Sequence, residues 1–109
     1  MIEECQDVLL GAMSTTAADN RHLHVTARER ILAGNFEPNF RLALAHKDLG
    51  LALRSALQLG VPLPIGTAAY LLHSLAMGAG LGEEGQSACI KVIEQAAGAQ
   101  ARRAKAKGK

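Results

Sequence analysis

The stretch AHKDLGLALRSALQLGVPLP, residues 45–64, constrains the fold more than any other part of the chain. Leu49, Ala52, Leu53, Ala56 and Leu57 recur at i, i+3, i+4, i+7 and i+8, the spacing of one face of an α-helix. Gly60 supplies a left-handed stop, and Pro62 forbids continuation. Pro64 suits the first turn of a further helix, where its missing N–H is not needed. The pattern predicts one helix over about 39–59 and another from Pro64. The second carries Ala68, Leu71, Leu72, Leu75, Ala76 and Ala79 as a stripe and ends among Gly78, Gly80 and Gly82.

Strand signals are nearly absent elsewhere, and helical spacing recurs instead. Residues 2–10 read as helix, opening as abruptly as the end of a longer one. Leu23, Ala27 and Ile31 predict a helix over 17–33, with Ser14, Thr15 and Thr16 as candidate N-caps and Gly34 and Asn35 at its end. Cys89, Val92, Ile93, Ala96 and Ala97 predict a last helix over 86–98. The expected fold is all-α, a bundle of about five helices over residues 1–98, followed by a disordered tail over 99–109. Phe36, Phe40 and Tyr70 are the only aromatic residues, so the core must be aliphatic. Apolar residues beyond the main stripes of the third and fourth helices call for a partner surface.

Charge narrows the function classes. Of the 12 Lys and Arg, five lie in the last eight positions, leaving seven against ten Asp and Glu in residues 1–101, a body of −3. That body has no positive excess to offer nucleic acid, and the tail has neither aromatics to stack on bases nor an apolar face for lipid. Cys5 and Cys89 form no disulfide framework and no Cys-x-x-Cys site. No leader or membrane-length apolar run is evident, so a cytoplasmic protein without membrane attachment is expected.

Lys47 and Asp48 stand out within the Ala/Leu helix. At about 100° per residue, Lys47 lies ~160° from Leu49, on the side of Gly50 and Arg54. Gly costs ~1 kcal/mol relative to Ala inside a helix, so Gly50 suggests space for something lying against that face. Spacing alone leaves two readings open, a solvated polar face and a ligand site. His22 and His24 lie on different faces, and His46 and His73 lack acidic or Cys partners at ligand spacing, so no metal site is expected. Glu83 and Glu84 are adjacent in a Gly-flanked turn and should diverge.

The segments GNFEPNFRLALAHKDLGLALRSALQLGVPLP and GLGEEGQSACIKVIE resemble the C-terminal domain of the β-hydroxyacid dehydrogenases, which include 3-hydroxyisobutyrate dehydrogenase and tartronate semialdehyde reductase. The likeness runs from about Val8 to Glu94. It implies a helical domain like the C-terminal domain of 6-phosphogluconate dehydrogenase, used for substrate binding and dimerisation. It also implies NAD or NADP as cofactor and hydride transfer to or from a short 3-hydroxy acid. Lys47 matches the family lysine that contacts the cofactor near its nicotinamide end; Asp48 matches a neighbouring structural acid. The family's Rossmann domain and catalytic lysine have no counterpart here, so the chain alone should be inactive. Its expected partners are a second copy or a separate Rossmann-domain subunit. The contrasting expectation is a non-catalytic helical module that self-associates or binds another subunit. Where this chain has Gly85 the family commonly has Asp, which puts the cap of the last helix in doubt.

Overall fold

The computed structural model describes residues 2–103, with side chains from Cys5 onward. These residues are all-α, as the periodicity predicts: α1 (Ile2–Met13), a π-helix (His22–Ile31), α2 (Leu42–Leu59), α3 (Pro64–Gly78) and α4 (Ile90–Ala97), the last entered through a 3₁₀ turn (Gln86–Cys89). They form two compact units, one of residues up to Asn35 with the segment from Ala101, the other of Phe36–Gln100.

In the first unit the expected caps act on the other helix. The Ser14, Thr15 and Thr16 hydroxyls donate back to the carbonyls of Gly11, Ala12 and Met13 at 2.7, 2.8 and 2.7 Å, closing α1. Asn20 opens the next helix, its Oδ1 accepting from the Leu23 N–H at 3.0 Å. That helix is wound with i→i+5 bonds: the Leu32 N–H donates to the Ala27 carbonyl at 2.9 Å and the Asn35 N–H to Arg30 at 2.8 Å. The wider turn shifts the buried stripe by one residue. Leu32, not Ile31, joins Leu23 and Leu10 in the core, against Met13, Ala27 and Ala101. The last of these belongs to the expected tail. Arg103 also donates its N–H to the Leu32 carbonyl at 2.6 Å and sets its guanidinium 3.6 Å from Asp7. Residues 104–109 of that tail lie outside the described residues.

In the second unit α2 and α3 form an antiparallel hairpin turned at Gly60, whose φ of 70° provides the expected left-handed stop. His46 meets Ser74, Gly50 meets Tyr70, and Leu53 lies beside Gly66. Pro64 opens α3 as expected. The start of α2 is Leu42 rather than Asn39, because the preceding segment is held by the loop before α4. Leu42 and Ala43 donate their N–H groups to the carbonyls of Glu84 and Gly82 at 2.9 and 3.0 Å; Gly85 and Gln86 donate theirs to Phe36 and Phe40 at 2.8 and 2.9 Å. Each helix start thus has orphan donors satisfied by the other's loop. This settles the doubt over Gly85: no side chain caps the last helix, and backbone carbonyls of 36–40 take that role. The Arg41 guanidinium reaches both carboxylate oxygens of Glu83, at 3.1 and 3.0 Å, across an antiparallel bridge between Arg41 and Gly85. Beneath this clasp lie Leu42, Ala76 and Ala88, fully buried, with Phe36, Leu81, Cys89 and Val92 packed around them.

The expected stripes are only half used. Leu57 is 82% exposed, and Ala52 is exposed too; the buried side of α2 is Leu42, Ala45, Gly50 and Ala56. On α3, Leu71 and Leu75 face solvent and only Ala76 is fully buried. On α4, Ile93 is half exposed. A broad apolar stripe needs neighbours on both sides, and the second half of α2 has α3 on one side alone.

Candidate functional site

Lys47 and Asp48 sit in the second turn of α2, and both are exposed. Among the described residues neither is ion-paired, so the ammonium is available at the surface. The space inferred at Gly50 is not open. A Cβ there would lie 3.3 Å from Tyr70 Cε1 and 3.7 Å from a guanidinium nitrogen of Arg54. The missing side chain makes room for an aromatic ring of the same hairpin, which corrects the reading of Gly50 as a seat for a ligand.

Tyr70 and Ser74 were not foreseen, and they organise this end of the hairpin. The Tyr70 ring stacks on His46 with centroids 4.6 Å apart and planes 14° from parallel. His46 Nε2 lies 2.9 Å from Ser74 Oγ, whose hydroxyl donates to the Tyr70 carbonyl at 2.9 Å. The single hydroxyl proton is thereby used, which assigns the His46 Nε2–H as donor to Ser74. His46 is therefore tied into helix packing, directly beside Lys47 in sequence. Spacing within either helix does not specify which residue of the other faces Gly50, so local periodicity could not have found this contact.

The remaining candidates separate. His22 Nδ1 lies 3.0 Å from Thr26 Oγ1, His24 pairs with Asp19, and His73 Nδ1–H donates to the Ala69 carbonyl at 2.8 Å. Among the described residues no three His, Cys, Asp or Glu side chains come together as a metal site would require. Glu83 and Glu84 diverge as expected, the first to Arg41 and the second to Lys91, whose ammonium also lies 4.4 Å from the centre of the Phe36 ring. Cys5 is exposed and Cys89 half-buried, both as free thiols. Burial raises the Cys89 thiol above its ordinary 9.0, outweighing the lowering from a backbone hydrogen bond.

One string does spell the glycine pattern of a dinucleotide loop: Gly80-Leu81-Gly82-Glu83-Glu84-Gly85. Its setting is wrong for that use. It follows α3 rather than a strand. The N–H groups of Glu84 and Gly85 are spent on the carbonyls of Leu81 and Phe36. Two carboxylates stand where a pyrophosphate would need donors. Gly82 is small for packing, since a Cβ there would lie 3.1 Å from Met77 Sδ. For NAD(P), then, the residues present fit a contact at one point, the Lys47 ammonium, and do not fit a pyrophosphate cradle. Among the described residues no helix is long and apolar enough to cross a membrane.

Among the described residues the domain is all-helical, Lys47 is its exposed lysine, and no group of free backbone N–H donors forms a pyrophosphate cradle in the Gly80–Gly85 loop. Residues 6–93 match the family model described as NAD-binding of NADP-dependent 3-hydroxyisobutyrate dehydrogenase, and the chain belongs to that family of β-hydroxyacid dehydrogenases. It is 41% identical over 96 residues to 3-sulfolactaldehyde reductase of Escherichia coli, covering 88% of this chain and 32% of that protein. It is 44% identical over 68 residues to 2-(hydroxymethyl)glutarate dehydrogenase of Eubacterium barkeri, covering 62% and 23%. A crystal structure of 3-hydroxyisobutyrate dehydrogenase from Salmonella typhimurium superposes with a TM-score of 0.70 at 30% identity, covering 80% of this chain and 30% of that one. The chain spans about a third of the length of the first of these relatives.

Proposed function

We propose that this chain supplies the helical, substrate-side domain of an NAD(P)-dependent 3-hydroxyacid dehydrogenase acting in the cytoplasm, and that Lys47 is its contact with the cofactor. The observation that carries the reading is an exposed, unpaired ammonium at the start of α2, within the Lys-Asp-Leu sequence of a family member. NAD(P), when bound, accepts or donates a hydride. Lys47 offers a fixed positive charge and up to three N–H donors to the nicotinamide end. The dinucleotide itself needs a Rossmann domain, which residues 1–109 do not provide, so turnover needs a second polypeptide or a longer one. The polypeptide alone is expected to give no NAD(P)H-linked reduction of a short semialdehyde; measurable turnover would refute this part. The test of Lys47 is titration of NADH and NADPH fluorescence with the chain and a Rossmann-domain partner together, wild type against Lys47→Ala. An unchanged dissociation constant removes Lys47 from the site.

A second reading has its own support. The α2–α3 hairpin carries Leu57, Ile65, Leu71 and Leu75 in solvent, and contiguous exposed apolar residues of this kind often mark a contact surface. That favours a helical module which associates with another copy or another subunit, with or without dehydrogenase chemistry.

A further inference from the structure

Arg54 is an exposed cation on α2, and among the described residues it has no acid to meet. One turn away on the same helix stand Gly50, Leu51, Leu57 and Gln58, none of which could pair with it. The facing helix α3 has no Asp, Glu, Lys or Arg from Pro64 to Gly78. At about 100° per residue, Arg54 lies ~20° from Lys47 around the axis, and Asp48 lies ~120° from Arg54. The guanidinium turns back along the helix: Nη1 lies 3.7 Å from the point where a Gly50 Cβ would stand, and Tyr70 Oη lies 3.8 Å from that same point. Tyr70 is half-buried and stacked on His46, yet its hydroxyl has no hydrogen-bond partner among the described residues. A guanidinium and a phenol with unused donors thus meet at the level of Gly50, about 4.5 Å along α2 from Lys47.

We infer that Arg54 and the Tyr70 hydroxyl hold the carboxylate of the substrate acid. The inference rests on the reading of the chain as the substrate-side domain and names the groups that bind the acid end of the substrate. A guanidinium presents parallel N–H donors that match the two oxygens of a carboxylate, and the phenol O–H adds a further donor without adding charge. Tyr70 fills the space at Gly50, so the acid is held against the hydroxyl edge of the ring rather than in a hollow of the helix. The electrostatics agree. With no acid on α3 and Asp48 on another side of α2, this face is positive and repels no anion. The spacing agrees too. In the same reading Lys47 meets the nicotinamide end, and a short 3-hydroxy acid has a single carbon between its carboxylate and the carbon that exchanges hydride. A separation of one helical turn suits a molecule that short.

Tyr70 is the only tyrosine and tryptophan is absent, so tyrosine fluorescence of the intact chain reports on this site alone. The test titrates 3-hydroxypropionate into the chain at constant ionic strength, without cofactor. The expected result is a saturable change in the millimolar range. Arg54→Gln should weaken it about tenfold, and Arg54→Lys, which keeps the charge and loses the fork, should weaken it less. Arg54 is exposed, so both variants should keep the far-ultraviolet circular dichroism of the wild type. Propanediol, an uncharged counterpart, should give no saturable change. Absence of a saturable response to the acid overturns the inference, as does a response indifferent to Arg54→Gln or matched by the diol. Inorganic phosphate binding as tightly as the hydroxy acid would make this a general anion site and overturn the substrate assignment. No cofactor is present in these titrations, so failure of the acid site and failure of the Lys47 contact are told apart.

Discussion

Replacing Leu42 by Ala tests whether the clasp between the start of α2 and the loop before α4 is the centre of the second unit. Leu42 is fully buried, and its neighbours Ala76 and Ala88 are too short to move into the vacated space. Losing three carbons forfeits ~2.4 kcal/mol at ~0.8 kcal/mol each. A cavity that cannot collapse adds to this, so a total of about 3–4 kcal/mol is expected. A unit the size of Phe36–Gln100 has roughly 3–10 kcal/mol in all, so the variant should lose at least about a third of its stability. Ile93→Ala is the control. That residue is 51% exposed, so its truncation should cost only about 1 kcal/mol. Urea unfolding followed by far-ultraviolet circular dichroism gives both values. If Leu42→Ala stays within about 1 kcal/mol of wild type, or matches Ile93→Ala, the clasp is not where this unit is held together.

Cysteine reactivity should divide along burial: a thiol reagent at mildly alkaline pH modifies exposed Cys5 first and Cys89 only slowly. Because burial raises the folded-state pKa of Cys89, folding favours its neutral thiol. That contribution is complete below the unfolded value of about 9 and is lost as pH rises above it. Stability should therefore fall in that alkaline range, less so in Cys89→Ala; an identical slope in both proteins would contradict the assignment. At Gly50, Ala should gain ~1 kcal/mol of helix propensity but must push Tyr70 off a 3.3 Å contact. In a Tyr70→Leu background the same change should stabilise by about 1 kcal/mol, and equal effects in both backgrounds would sink the packing account.

The helix stops were the most legible part of the sequence, because Gly60 and Pro64 act through their own backbone geometry. Gly60 sits at φ 70° and Pro64 opens α3 as read. What lay beyond local chemistry was misjudged. Ser14, Thr15 and Thr16 are good caps in isolation, yet a hydroxyl that can turn back to a carbonyl three residues earlier closes α1 instead. The π winding of His22–Ile31 moved the buried stripe from Ile31 to Leu32, which a 3.6-residue template cannot anticipate. Stripes on α2 and α3 gave their direction but not their depth, since burial depends on how many neighbours a helix has. At the candidate site, the exposure of Lys47 followed from its angle to Leu49. The filling of Gly50 by Tyr70 did not, because nothing in one helix specifies which residue of the next will face it.

The second unit divides its chemistry between two ends, and this decides how the proposals bear on each other. Arg41, Lys47, Asp48, Glu83, Glu84 and Lys91 all come from the open end of the hairpin and the clasp, whereas residues 55–82 are uncharged. Lys47 and Leu57 are ten residues apart on one helix, about 15 Å along its axis at 1.5 Å per residue. That exceeds the ~8 Å over which an exposed charge is felt at physiological salt. A glutamate at position 57 should then leave any Lys47-dependent cofactor affinity intact, and alanine at position 47 should leave self-association intact. Sites this far apart with no shared partner are additive, so the double variant should lose both properties by the amounts each single change removes. Departure from that additivity would mean that association of the hairpin and engagement of the cofactor are coupled, in a way that charge and distance along α2 do not supply.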